Sequence, residues 1–171
     1  ISPGDEVILP PWTMSATAMA PLYYGGIPVF ADIDPYYYCL SYESVIKNIT
    51  EKTKAIIAVN LFGHPAELIK LRELADNNKI FLIEDNAQAI YAKENNKYTG
   101  SIGHIGVFSL NYHKHINTGE GGICTTNDDQ LALKLQIIRN HGENVVESFN
   151  LKSDLTNLIG QNYRLTEIQA A

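Results

Sequence analysis

Short apolar runs alternate along this chain with longer segments of helical period. The short runs are rich in β-branched residues, and several are apolar at every position. Strands that are apolar on both faces are typical of a sheet buried between two helical layers. The pattern therefore predicts an α/β fold, with three αβα layers around a mainly parallel sheet. The predicted strands are Val7–Leu9, Pro28–Asp32, Lys54–Asn60, Ile80–Ile83, Gly106–Leu110 and Gly122–Thr126.

Five helices are predicted between and after these strands. The clearest lies between Asn127 or Asp128, which can cap its first amides, and Gly142, which can supply a left-handed end. The stretch from Glu94 to Gly103 is predicted to be a loop. The predicted helices are Ser15–Tyr24, Ser41–Ile49, Ala66–Asn77, Asp128–Asn140 and one that begins near Leu165.

Composition excludes several classes of protein. The chain has 171 residues, of which 45% are hydrophobic, so one domain can bury a core without disulfides or a structural metal. Its longest apolar run, Ala55–Val59, is far shorter than the roughly 18 residues of a membrane span. A net charge of −6 without a Lys/Arg block argues against nucleic-acid binding. Cys39 and Cys124 form no CxxC pair, which favours free thiols in a reducing, cytoplasmic compartment.

The first candidate site residues follow a buried strand. Asp85 comes directly after the apolar run Ile80–Ile83, at the carboxyl end of a strand, where ligands bind in open α/β sheets. Glu84 and Asp85 point to opposite faces if the strand continues, so we expect one of them to face a site. Gln88 is close enough to share it if the backbone turns helical. Locally, Asp85 also fits a helix cap or a turn residue.

A second candidate cluster lies in the polar loop between Phe108 and Gly122, which ends in a run of glycines. A glycine-rich backbone can approach a ligand and present amides to an anion, and Ser109 can add a hydroxyl. Lys114 lies directly between His113 and His115, and an unprotonated lysine is a nucleophile for carbonyls. Spacing alone is equally typical of a solvated loop. The histidines have no partners at metal-ligand spacing, so no metal site is predicted.

In their order along the chain, these motifs resemble the DegT/DnrJ/EryC1/StrS sugar aminotransferases, a family of fold-type I enzymes that depend on pyridoxal phosphate. The resemblance covers nearly the whole chain, and as a set the motifs are highly specific. The segments that carry it are Gly4–Ile8, Thr13–Thr17, Pro28–Asp34, Lys52–Ile57, Ile83–Ala89, Phe108–Ser109, Lys114, Gly119–Gly122 and Asn162–Ala171.

The resemblance implies a role for each matching position. Lys114 is similar to the lysine that bonds to pyridoxal 5′-phosphate and later moves the substrate proton. Asp85 resembles the aspartate that pairs with the pyridine nitrogen and keeps it protonated, and Gln88 the residue beside the ring and its phenolic oxygen. Ser109 matches a phosphate ligand. Asn162 matches a residue that reaches the phosphate of the neighbouring subunit, which implies a homodimer with shared active sites.

The chain departs from the family's pattern at one visible position. Met14 stands where many relatives have an aromatic ring that stacks on the cofactor, with Trp12 two positions before it. A thioether can also pack on a ring face, so Met14 is the predicted stacking residue. Because the chain begins without Met and matches only part of the family's pattern, we expect residues 1–171 to be the large, cofactor-binding domain, without an N-terminal segment and a small C-terminal domain.

The resemblance implies an enzyme that transfers an amino group from glutamate or glutamine to a keto sugar, which is expected to be nucleotide-linked. A cyclitol ketone such as scyllo-inosose also remains open as an acceptor. One alternative is a sugar dehydratase of the same family, which has histidine in place of the lysine and is relevant because His113 and His115 flank Lys114. Two others are a non-catalytic regulator on the same fold and a cofactor-free lyase that uses Lys114.

Overall fold

A six-stranded sheet forms the centre of the protein. The computed structural model describes residues 1–143 and 158–171. The strands of the sheet are β1 (Glu6–Leu9), β2 (Ile27–Phe30), β3 (Thr53–Val59), β4 (Phe81–Asp85), β7 (Ile105–Ser109) and β8 (Gly122–Thr125), and β5 (Lys93–Glu94) pairs with β6 (Lys97–Tyr98) in a separate hairpin. The order across the sheet is β2-β1-β3-β4-β7-β8. All neighbours are parallel except β8, which runs antiparallel to β7, so the predicted, mainly parallel sheet is confirmed.

Helices cover both faces of the sheet. They are α1 (Ser15–Leu22), α2 (Tyr42–Asn48), α3 (Leu68–Asn78), α4 (Asp129–Arg139) and α5 (Glu167–Ala170). One buried cluster joins Ile56 of β3 and Leu82 of β4 to Leu71 of α3 and Val45 of α2. A second cluster on the other face joins Val7, Leu9, Ala55 and Ile57 to Ala18 of α1. Alternate residues along the strands therefore pack into two cores, one on each face of the sheet, which gives the three predicted αβα layers.

The local signals predicted most elements to within two or three residues. Asp128 caps α4, where its carboxylate accepts hydrogen bonds from the amides of Gln130 and Leu131, and Gly142 has a positive φ of 77° beyond the helix end. The last helix begins at Glu167 instead of Leu165, because Thr166 and Gln169 form a capping box there.

The prediction of a loop from Glu94 to Gly103 was wrong in part. The structure has the β5–β6 hairpin there, turning through Asn95 and Asn96 with φ values of 46° and 65°. Strands of two residues are too short to show an alternating pattern, and asparagine tolerates the left-handed conformation that a tight hairpin requires. Among the described residues, no helix is long and apolar enough to cross a membrane.

Candidate functional site

The carboxyl ends of β3, β4 and β7 meet at one edge of the sheet. The three strands are parallel neighbours, and their register places Asp85 between Val59 and Val107. β4 ends at Asp85 and β7 ends at Ser109, so the two predicted clusters follow adjacent strands. The edge at which parallel strands end is where α/β proteins hold their ligands.

The neighbouring acids Glu84 and Asp85 lie in opposite environments. Glu84 is fully buried on the face that α3 covers, and its carboxylate accepts hydrogen bonds from the amides of Gly100, Ile102 and Gly103. Asp85 is half-buried and lies on the face that α1 covers. Glu84 already has three donors and no access to solvent, so Asp85 is the acid of the two that remains accessible.

Both carboxylate oxygens of Asp85 accept a hydrogen bond. Oδ1 accepts one from the amide of Ala87 at 3.1 Å, and Oδ2 accepts one from the hydroxyl of Thr17 in α1, also at 3.1 Å. The bond to Ala87 makes Asp85 a turn residue, the local interpretation that the sequence left open. The bond to Thr17 comes from 68 positions earlier in the chain, and no local pattern predicted it.

Gln88 is held by the turn that follows β3. Its Oε1 accepts a hydrogen bond from the amide of Phe62 at 2.9 Å, which leaves the Nε2 hydrogens as the donors of this side chain. Phe62 has a left-handed backbone, φ 53° and ψ 21°, and its side chain is 73% exposed. A bulky residue in this conformation is strained, and such strain concentrates at functional sites. The sequence carried no signal for this contact.

The loop after β7 carries Lys114. The loop closes on itself through a hydrogen bond from the amide of Leu110 to the carbonyl of Gly121 at 2.8 Å. Lys114 donates its backbone amide to the carbonyl of Asn111, and its side chain is half-buried. Within residues 1–143 and 158–171, no carboxylate lies at ion-pair distance from Nζ of Lys114. Among the described residues, nothing therefore holds this amine in a structural salt bridge.

A cavity of about 490 Å³ lies beside these loops. Three of the predicted site residues, Gln88, Ser109 and Lys114, line it, and the apolar part of its wall includes Phe108 and Ile123. Glu84 of β4 pairs with Gly106 of β7, so these two residues share one face of the sheet. Phe108 lies two positions after Gly106 and pairs with Ile123 of β8. Because side chains alternate along a strand, the apolar wall lies on the same face as Glu84.

Three predicted residues lie outside the cavity wall. Asp85 lies against α1 on the other face of the sheet, although Asn86 and Ala87 after it line the cavity. Met14 is 76% exposed at the N-cap position of α1, one turn before Thr17, and Trp12 is 58% exposed. Asn162 is exposed and pairs through its backbone with Asn140. The structure thus brings three predicted residues to one cavity, puts Asp85 at the adjacent strand end, and leaves Met14 and Asn162 apart.

The residues present are chemically suited to pyridoxal phosphate. Lys114 offers an amine that no carboxylate among the described residues neutralises, and Asp85 offers an anchored carboxylate for a ring nitrogen. Ser109 offers a hydroxyl, and a side chain added at Gly119 in the same loop would meet nothing within 4 Å, which leaves its backbone approachable. No three His, Cys, Asp or Glu side chains cluster as metal ligands in the parts of the chain that the structure describes.

The fold is that of solved aminotransferases. The structure matches the aminotransferase from Psychrobacter cryohalolentis with a TM-score of 0.92 and 38% identity, over 99% of this chain and 45% of that one. It matches NtdA from Bacillus subtilis, solved with bound cofactor PMP, with a TM-score of 0.87 and 33% identity, over 99% of this chain and 38% of that one. The chain belongs to the DegT/DnrJ/EryC1/StrS aminotransferase family, whose model matches residues 1–171.

A curated relative carries a more specific name. The UDP-N-acetyl-3-dehydro-α-D-glucosamine 3-aminotransferase of Acidithiobacillus ferrooxidans is 42% identical over 171 residues, which are 99% of this chain and 44% of the relative. The chain spans less than half the length of this relative and of two curated GDP-perosamine synthases that it also matches. The resemblance inferred from the sequence motifs is confirmed at the level of the family and the fold.

Proposed function

We propose that this chain is the cofactor-binding large domain of a longer enzyme that transfers an amino group from glutamate or glutamine to a keto sugar, with the sugar linked to a nucleotide. Family membership and the name of the Acidithiobacillus relative, which acts on a UDP-sugar, support the reaction class. The observation that carries the proposal is the position of Lys114, half-buried beside Gln88 and Ser109 and next to the strand end that holds Asp85.

Bound pyridoxal phosphate supplies an aldehyde that takes up the amino group and a protonated ring that accepts electrons from the substrate carbon. Nζ of Lys114 would hold the cofactor at rest, and the same amine, freed when the amino donor binds, would carry the proton that the substrate carbon loses. Asp85 would pair with the ring nitrogen, and its two hydrogen bonds from Ala87 and Thr17 hold the carboxylate in place. Nε2 of Gln88, whose Oε1 already accepts from the amide of Phe62, would donate to the phenolic oxygen, and Ser109 would bind the phosphate.

The assembly and compartment belong to the same proposal. Asn162 would reach the phosphate in a second subunit, which makes the active unit a homodimer with shared sites. Its exposure, away from the cavity of its own chain, is compatible with a role across an interface. Met14, exposed at the start of α1, would pack on the ring face once the site is complete. Cys39 and Cys124 are free thiols, which supports a cytoplasmic enzyme.

The test is cofactor attachment in the full-length protein. We expect a visible absorption band with pyridoxal phosphate, and borohydride reduction followed by peptide mapping should place the cofactor on Lys114. Lys114→Ala should remove the band and lower turnover by at least about 10³-fold, because the covalent anchor and the proton carrier are lost together. Lys52→Ala is the control, since Lys52 is exposed at the amino end of the sheet.

The alternatives give different results in the same experiment. Cofactor that binds without a covalent link to lysine would contradict the transaminase and favour the dehydratase. Failure to bind cofactor would favour the regulator, and borohydride trapping of a keto sugar on Lys114 in the absence of cofactor would favour the lyase. Retained turnover in the Lys114→Ala variant would contradict both hypotheses that give Lys114 a catalytic role, the transaminase and the lyase.

A further inference from the structure

Two threonines connect α1 to the acid of the site. The hydroxyl of Thr17 lies 3.1 Å from Oδ2 of Asp85, and the hydroxyl of Thr13 lies 2.9 Å from that of Thr17. Thr17 is only 6% exposed. A buried hydroxyl needs a partner, and a threonine inside a helix commonly finds it in the carbonyl one turn earlier. Thr17 donates instead to a carboxylate on the sheet.

The direction of this chain of hydrogen bonds follows from the number of protons. An ionised carboxylate only accepts, so the single hydroxyl hydrogen of Thr17 points at Asp85. Between the two threonines, the oxygen of Thr17 must then accept, so the hydroxyl hydrogen of Thr13 points at the hydroxyl oxygen of Thr17. The two hydroxyls therefore form a one-way series that ends on Asp85.

The series fixes the rotation of the carboxyl group. Asp85 receives one hydrogen bond on Oδ1 from its own turn and one on Oδ2 from α1, so both oxygens are anchored from different elements. Without Thr17, the bond to Ala87 alone would allow the carboxyl plane to turn. A group that must face a ring nitrogen depends on such outer partners for its orientation.

We propose that Thr17 is a positioning residue that orients Asp85 toward the ring nitrogen of the cofactor; this inference rests on the proposed function. Thr17 itself touches neither cofactor nor substrate. It acts through Asp85, and Thr13 acts through Thr17.

The experiment compares two cofactors on variants of the full-length protein. The first is pyridoxal phosphate, and the second is its 1-deaza analogue, in which a C–H replaces the ring nitrogen. Thr17→Val removes the hydroxyl while keeping the shape, and Thr17→Ser restores it. Thr53→Val is the matched control, because Thr53 is a buried threonine at the amino end of β3, 2% exposed, whose hydroxyl oxygen accepts a hydrogen bond from the amide of Thr50 in its own turn.

We expect Thr17→Val to weaken binding of pyridoxal phosphate about tenfold, the equivalent of about 1.4 kcal/mol, since the bond that is lost is made to a charged group. The pH midpoint of the bound cofactor's absorption should shift as well. Thr17→Ser and Thr53→Val should both bind within about threefold of wild type. The deaza analogue should bind wild type and Thr17→Val equally, because it has no nitrogen for Asp85 to pair with.

Three results would overturn the inference. Unchanged affinity and pH midpoint in Thr17→Val would show that Asp85 needs no support from α1. Equal weakening for both cofactors would assign Thr17 a structural role alone. A wild-type protein that binds neither cofactor would overturn the proposed function together with this inference, and the wild-type measurement by itself reveals that case.

Discussion

The side chain of His104, directly before β7, contacts both β4 and α3. Its Nδ1 accepts a hydrogen bond from the amide of Leu82 in β4 at 2.9 Å, and its Nε2 lies 3.1 Å from Oδ1 of Asp76 in α3. This geometry requires the neutral ring with its hydrogen on Nε2, because a proton on Nδ1 would face the amide of Leu82. Burial lowers the pKa of His104 below its usual range, and the charge of Arg72 lowers it further, against the opposing effect of Asp76.

The lowered pKa of His104 predicts a pH dependence of stability. In the unfolded chain, the His104 ring takes up a proton near pH 6.5, whereas in the folded chain it does so only at lower pH. Folding is therefore favoured at pH values where the His104 ring is neutral. The contribution is complete above about pH 6.5 and is lost as the pH falls through the folded-state pKa. We expect His104→Gln to reduce the fall in melting temperature between pH 8 and pH 5 in the full-length protein.

The control for this prediction is His141→Gln, at an exposed position beyond α4. This variant should follow the wild-type pH profile, since His141 is exposed to solvent. A wild-type profile in His104→Gln would show that other groups cause the loss of stability in acid.

At the scale of elements, α3 is capped by the short hairpin that the sequence did not reveal. Glu67 at the N-cap position makes no side-chain cap. The carboxylate of Glu94 in β5 instead accepts hydrogen bonds from the amides of Leu68 at 2.7 Å and Ile69 at 3.2 Å. A carboxylate at this end also interacts favourably with the helix dipole.

Removing this cap should loosen the first turn of α3. Loss of an N-terminal cap costs about 1–2 kcal/mol, so Glu94→Ala should speed hydrogen exchange of the Leu68 and Ile69 amides by about 5- to 30-fold. Glu73→Ala, in the exposed middle of the same helix, is the matched control. Equal exchange in the Glu94 and Glu73 variants would mean that packing alone holds the first turn.

The same elements show why some predictions succeeded. α4 has its cap, its period and its terminal glycine within one continuous segment, and the predicted range differs from the observed one by one residue at each end. α3 begins at Leu68, two residues after the predicted start, because the cap comes from Glu94 and Glu67 has a left-handed φ of 49°. Local sequence determines an element when its stabilising contacts are local, and it fails where a distant residue supplies them.

At the scale of the whole molecule, the proposed sharing of sites between two subunits makes a quantitative prediction. Lys114→Ala and Asn162→Ala should each be inactive alone. If Asn162 serves the partner's site, a mixed dimer of the two variants contains one intact site, so random mixing should restore about a quarter of wild-type activity.

The matched control for subunit mixing pairs Lys114→Ala with Asp85→Ala. Lys114 and Asp85 belong to loops at adjacent strand ends of one chain, so their mixed dimers contain no intact site. Recovery in both mixtures would point to exchange of whole segments between chains. Recovery in neither would place Asn162 in the site of its own subunit.

The sequence by itself determined the family, the layered α/β fold and the strand ends at which Asp85 and Ser109 lie. Apolar periodicity, caps and motifs are recorded within short segments, which explains why they could be interpreted without coordinates. Only the tertiary structure decided that Thr17 donates to Asp85, that Phe62 holds Gln88 and that Glu84 binds three distant amides. These contacts join residues from 16 to 68 positions apart, and their partners are chosen by strand order and helix packing.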